Sequence, residues 1–348
     1  MKKKIVIIYS LIHFIVDFSC VILVANLIKG MNTNNLMLYF LGVIIYNFCG
    51  FVLQFPIGII ADKINKNAII SAIGCLLVII GYIFFNIPII ACIIAGVGNA
   101  LFHIGGGIDV LNISEKKATL SGIYVSTGAM GVFLGTMSYK WQFDMYWIII
   151  VILMISIILL SWLYSKIKDK VKNNDFQIPK LSKNAILAII CFFITVCIRS
   201  YVGMILSFSW KSEFIFALFA ILGVVFGKIL GGIIGDKLGF EKISITLILS
   251  AVLFIFSFQN PIIGIIAILL FNMTMPITLI CLSNIFINNK GLAFGLLTVA
   301  LFIGAAPTFF GYNGIFTKSG LFTTTIISAA ILYIALILYR KEMERHAN

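Results

Sequence analysis

The chain has 348 residues, 61% of them hydrophobic and 11% charged, with a formal charge of +13 and a mean hydropathy of +1.15. Soluble domains are about 45–50% apolar and about 25% charged, so a cytosolic enzyme, a nucleic-acid-binding domain and a disulfide-rich secreted module are excluded. Disorder needs low hydrophobicity and is excluded too. What fits is an all-α polytopic membrane protein.

A spanning helix takes roughly 20 mostly apolar residues. Twelve such runs follow one another, at about 5–28, 36–60, 68–86, 88–111, 118–139, 145–165, 184–209, 214–235, 242–258, 261–286, 291–313 and 322–339. Short polar separators such as Asp62-Lys-Ile-Asn-Lys-Asn67 divide them. The first run follows Lys2-Lys3-Lys4, is too long for a signal peptide and carries His13 and Asp17, so it reads as span 1. Pro276 and Pro307 are expected to kink spans 10 and 11.

With the N-terminus in the cytoplasm, nineteen Lys and Arg residues fall on cytoplasmic segments and four on external ones, and Arg199 and Lys228 lie inside spans. Basic residues concentrate on the cytoplasmic side, which puts both termini inside and supports an even number of spans. The basic charge is thereby explained without a nucleic-acid partner. All seven cysteines sit in apolar runs with no CxxC pair, so they read as small buried hydrophobes. Neither a metal nor another cofactor is expected.

The long hydrophilic segment 167–183 reads as a cytoplasmic linker between an N-terminal bundle, 1–166, and a C-terminal bundle, 184–348. The halves repeat. Gly58-Ile-Ile-Ala-Asp62-Lys63 returns as Gly232-Ile-Ile-Gly-Asp236-Lys237, 174 residues later. At an offset of 173, Asn99 matches Asn272, Gly122 matches Gly295 and Gly131 matches Gly304. Two parallel six-helix repeats place a substrate site near the midplane between them.

Charge at the bilayer centre costs at least about 2.5–3.5 kcal/mol, so the intramembrane ionisable residues are the functional candidates. They are His13, Asp17, His103, Asp109, Arg199 and Lys228. His13 and Asp17 are four apart and share one helix face, as do Asn99 and His103. Asp17 near Arg199 would make a carboxylate whose proton affinity depends on access to water; the alternative is a static ion pair. Asp109 is read as either functional or solvated, and Lys228 as able to snorkel. The glycines at 128, 131 and 135, and at 223, 227, 231 and 235, read as packing contacts. No HExxH, GxSxG or paired Cys/His motif suggests an enzyme.

The chain resembles the major facilitator superfamily over its whole length. Gly58-Ile-Ile-Ala-Asp62-Lys63-Ile-Asn65-Lys66-Asn67 is similar to the family's loop after the second helix, with Asn65 in place of a glycine. A narrower resemblance, to the fosmidomycin-resistance efflux group, rests on three segments. They are His13-Phe-Ile-Val-Asp17, Gly98-Asn-Ala-Leu-Phe-His103-Ile-Gly-Gly-Gly107 and Ile198-Arg199-Ser-Tyr201. Ile104 stands where that group usually has proline.

The resemblance implies twelve helices in two six-helix bundles, with spans 1, 4, 7 and 10 around the cavity. His13, Asp17, Asn99, His103, Arg199 and Asn272 then form the substrate and proton pathway. Asp62, Lys63, Asp236 and Lys237 form gating loops that latch the cytoplasmic side. The expected function is proton-coupled export of a small polar or anionic compound across a bacterial plasma membrane. Metabolite uptake and a non-transporting scaffold or sensor are the alternatives. The expected partners are the substrate, protons and the lipid bilayer, with no obligatory protein partner.

Overall fold

A computed structural model describes residues 2–30, 36–143, 145–167 and 181–347. Most of the expected linker lies outside them. The described residues form fourteen α-helices and no strand. In the first half these are α1 (Lys2–Gly30), α2 (Leu36–Asn47), α3 (Gln54–Ile64), α4 (Asn67–Ile83), α5 (Pro88–Ile113), α6 (Ala118–Lys140) and α7 (Tyr146–Ile167). The second half has α8 (Lys183–Ile205), α9 (Phe214–Leu238), α10 (Ser244–Phe256), α11 (Pro261–Asn272), α12 (Met275–Ile285), α13 (Lys290–Phe309) and α14 (Lys318–Ala347). Ten helical stretches among the described residues are long and apolar enough to cross a membrane, and α4 is a shorter apolar helix. The protein is therefore an all-α, multi-pass membrane protein.

Local chemistry sets the helix ends. Ser182 caps α8 by accepting from the Ala185 amide, and Asn260 caps α11 with Pro261 at its first position. Span 10 breaks at Met273 and Thr274, and Pro276, two residues on, offers no N–H to continue the ladder. Pro307 lies inside α13 without breaking it. Span 2 is continuous from α2 into α3 through a π-helical turn, Phe48–Val52.

The chain forms two compact units. The first holds Met1–Ile113, Thr127–Phe176 and Asn288–Val299; the second holds Ser114–Ser126, Gln177–Ile287 and Ala300–Asn348. Each unit thus includes one short segment from the other half of the sequence.

Within the first unit α5 packs against α1, α2, α3 and α4, and α4 also packs against α7. Lipid tails are as apolar as leucine, so helices associate through close backbone approach at small residues. A Cβ on Gly74 would come within 2.6 Å of the Gly98 carbonyl, and one on Gly105 would collide with Asn67 and Ser71. Within the second unit α14 packs on α8 and α10, and α9 on α11 and α12. The α9 glycines at 223, 227 and 231 lie against the carbonyls of Ile265, Leu269 and Met273 in turn. The four-residue spacing on α9 matches one turn of the facing chain.

Candidate functional site

Helices α1 and α5 bring His13, Asp17, Asn99 and His103 together. Nε2 of His13 stands 2.8 Å from Nε2 of His103 and 3.2 Å from Oδ2 of Asp17. His103 Nε2 is 3.6 Å from Asp17 Oδ1, which also accepts from the Asn99 amide at 3.0 Å. His103 Nδ1 lies 2.9 Å from the Asn99 carbonyl. A carbonyl only accepts, so this contact assigns a hydrogen to Nδ1. Two imidazole nitrogens 2.8 Å apart need one further hydrogen between them, so one ring donates to the other. His13 is only 5% exposed, and the rings meet edge to face with centroids 4.4 Å apart.

Two backbone features frame the cluster. A Cβ on Gly128 of α6 would overlap both Asp17 Oδ2 and His13 Nε2. Sequence reasoning read Gly128 as helix packing; its neighbours prove to be the ionisable groups. On another side Gly50, in the π-helical turn, faces Asn99 Oδ1. Such turns recur at functional sites. The small residues Cys49 and Gly50 were its only trace in the sequence.

The donor atoms of His13, Asp17 and His103 all lie within 4.8 Å of one another, so these residues could hold a metal ion. The cysteines offer no comparable set among the described residues.

The repeated aspartates meet helix starts, each inside one unit. Asp62 accepts from the Gly291 and Leu292 amides at 2.8 and 2.9 Å, where Lys290 also bonds the Leu111 carbonyl. Asp236 accepts from the Ala118 and Thr119 amides at 2.7 and 2.9 Å and from the Thr119 hydroxyl at 2.5 Å. Each carboxylate satisfies free N–H groups at the positive end of a helix dipole. The glycines repeat the pattern: Gly58 lies against Gly291, and Gly232 against Ala118. Asn65 ends α3 with φ 55°, and its counterpart Gly239 ends α9 with φ 97°. Lys63 and Lys237 are exposed.

The remaining candidates separate. Asp109 is 4% exposed and so is not solvated: Tyr9 donates to it at 2.5 Å and Asn67 at 2.8 Å. Lys228 is buried and donates to the Val125 carbonyl at 3.0 Å. Asn272 donates to Ile268 in its own helix, unlike its counterpart Asn99. Arg199, on α8 in the second unit, is 7% exposed. No hydrogen bond or ion pair joins its guanidinium to another of the described residues.

No protein-family model matches the chain, and no curated protein matches it. Solved structures do. The human organic anion transporter MFSD10 (TETRAN) aligns with TM-score 0.68 and 14% identity, over 97% of this chain and 99% of that one. The E. coli fucose:proton symporter FucP aligns with TM-score 0.60 and 12% identity, over 95% of this chain and 98% of that one. At such identity the likeness is one of architecture, and the chain has the fold of these MFS transporters.

Proposed function

We propose that this protein is a secondary active transporter of the major facilitator superfamily, working by alternating access. It exports a small polar or anionic compound in exchange for protons, through the plasma membrane, with both termini in the cytoplasm. The observation that carries this reading is the hydrogen-bonded cluster of buried His13 with half-buried Asp17 and His103, oriented by Asn99. Ionisable groups at membrane depth are costly and mark ion and substrate pathways, and an enzyme would need a reactive constellation that the sequence does not offer.

Arg199 is the anion-recognising group in this reading. A buried guanidinium without a partner among the described residues offers five donors to a carboxylate, phosphate or phosphonate. Asn272 completes the pathway on span 10. Asp62 and Asp236, with Lys63 and Lys237 beside them, are the latches that open once per cycle. The fold likeness to an organic anion transporter and a proton symporter supports anion recognition and proton coupling. The resemblance of three segments to the fosmidomycin-resistance group supports export.

The test is drug susceptibility in a sensitive bacterial host, over a panel that includes fosmidomycin. Wild type is compared with Asp17→Asn and Arg199→Ala at matched membrane expression. Export through these residues predicts resistance in the wild type and its loss in both variants. Resistance that survives both substitutions would sink the reading.

A further inference from the structure

We propose that His13, Asp17 and His103 form a binding site for one divalent transition-metal ion of the zinc, cobalt and nickel class. The chain has three histidines, and two of them meet one carboxylate here, from helices 90 residues apart in sequence. An ion bonded to nitrogen and oxygen at about 2.0–2.2 Å in tetrahedral geometry spaces its ligand atoms roughly 3.3–3.6 Å apart. The two ring nitrogens stand 2.8 Å apart, and Asp17 puts Oδ2 3.2 Å from one and Oδ1 3.6 Å from the other, with one ligand atom of each residue within 4.8 Å of the others. The rings have to part by about half an ångström on that geometry and the carboxylate has to turn one oxygen toward both.

The outer contacts have the form that metal sites use. Ligating imidazoles give their other N–H to a carbonyl or carboxylate, which fixes the ring and frees the lone pair. Asn99 does this for His103 through its main-chain oxygen. Its side-chain amide also holds Asp17 Oδ1. One residue thus orients two of the three ligands. Two imidazoles and one carboxylate suit zinc, cobalt or nickel; magnesium and calcium prefer all-oxygen sites. Three protein ligands leave further positions open for water or a ligating group of a substrate. When the ion enters, the hydrogen between the rings leaves Nε2 for water and water returns one to Nδ1 of His13, so that both rings bind as neutral imidazoles; the ion sheds bound water, and no electron is transferred.

The inference rests on the transport reading in one respect, since an ion reaches ligands that are buried or half-buried among the helices only if the site opens. The experiment uses the full chain purified in detergent, stripped of metal and without a polyhistidine tag. Zinc is titrated by calorimetry, and cobalt is followed by its ligand-field absorption. One ion per chain is expected, with binding weakened about 100-fold or more in His13→Ala and in His103→Ala. Asn99→Ala should weaken it about 10–100-fold, the range for outer-shell partners, and His346→Ala should bind like the wild type. Zinc should raise the melting temperature of the wild type and not that of His13→Ala, a readout that also reports whether each variant is folded.

Access is read separately, by labelling Asp17→Cys in cysteine-free protein with a membrane-impermeant maleimide from each side. Labelling from both sides with no stoichiometric zinc or cobalt binding overturns the metal site and leaves the transport reading standing. Binding unchanged in folded His13→Ala and His103→Ala also overturns the site. A cysteine labelled from neither side overturns the transport reading.

Discussion

Gly128 of α6 leaves no room for a methyl group beside Nε2 of His13. The same methyl would overlap Oδ2 of Asp17, so Gly128→Ala presses on both polar partners of one hydrogen bond. Overpacking costs typically about 1–3 kcal/mol. The expected outcome is a lower melting temperature together with lost drug resistance at unchanged membrane expression. Gly135→Ala makes a useful contrast. Its Cβ would crowd the Phe18 carbonyl and Val21 instead, from 2.9 Å outward. It should destabilise without the same loss of drug resistance.

The two latches differ in how many donors they satisfy. Asp62 holds two amides; Asp236 holds two amides and a hydroxyl. Removing an acceptor leaves buried donors unsatisfied, at about 1–3 kcal/mol. Asp236→Ala should therefore lower thermal stability more than Asp62→Ala. Thr119→Val added to Asp236→Ala should recover most of that difference, because the Thr119 hydroxyl is the one donor by which the two latches differ. Melting curves of the three proteins in one detergent decide it.

Lys211 gives a pH-dependent prediction outside the membrane-spanning segments. Its ammonium donates to the Leu206 carbonyl at 2.6 Å and lies 5.6 and 5.8 Å from the rings of Phe208 and Trp210. The rings favour the charged form, but burial outweighs them and lowers its pKa from 10.5 to about 8. A lysine with a depressed folded pKa binds fewer protons folded than unfolded between these two values. Its contribution to stability therefore rises with pH from about 8 to 10.5. Wild type should gain thermal stability across that window relative to Lys211→Met, and the two should run parallel below pH 7. Parallel curves throughout would refute the assignment.

Asp109 is bonded by Tyr9 and Asn67 from two other helices. Asp109→Asn keeps an oxygen for Asn67 but sets an NH2 toward Tyr9, so the hydroxyl has to turn from donor to acceptor and the bonds to a carboxylate are lost. A loss of about 1–3 kcal/mol follows. Tyr9→Phe in the same background should cost little more than Asp109→Asn alone, since the two share a hydrogen bond. Additive effects in thermal melts would show that the contact contributes nothing.

The fold was largely legible because its determinants are periodic and long. Twelve apolar runs, the basic bias and the 174-residue repeat of Gly58 to Lys63 all survive averaging over many residues. The repeat extends to packing that the sequence could not display: Gly122 lies against the Lys228 carbonyl, and Gly295 against that of Gln54, two partners that are themselves 174 residues apart. The site was legible in part. Four-residue spacing put His13 beside Asp17 and Asn99 beside His103, but it could not say that the two pairs meet. That depends on how α1 crosses α5, which is set by small residues whose contacts are tertiary. Gly128 and the π-helical turn escaped for the same reason. The expected approach of Asp17 to Arg199 concerns residues of different units and stays an expectation.

Arg199 offers the sharpest separation of stability from function. A buried charge without a protein partner is expensive, and replacing it with an apolar side chain of similar length removes the desolvation penalty. Arg199→Met is therefore expected to raise the melting temperature. If the guanidinium receives an anionic group of the substrate, the same variant loses resistance to anionic compounds, the usual exchange of activity for stability at a binding site. A static packing role makes the opposite forecast, since an arginine's apolar stem also packs and its replacement then destabilises. Melting curves of wild type and Arg199→Met, with Arg199→Lys to retain charge without the planar fork, decide between them. A variant that melts lower than wild type would assign the arginine to packing, and the anion recognised by this protein would have to be held elsewhere.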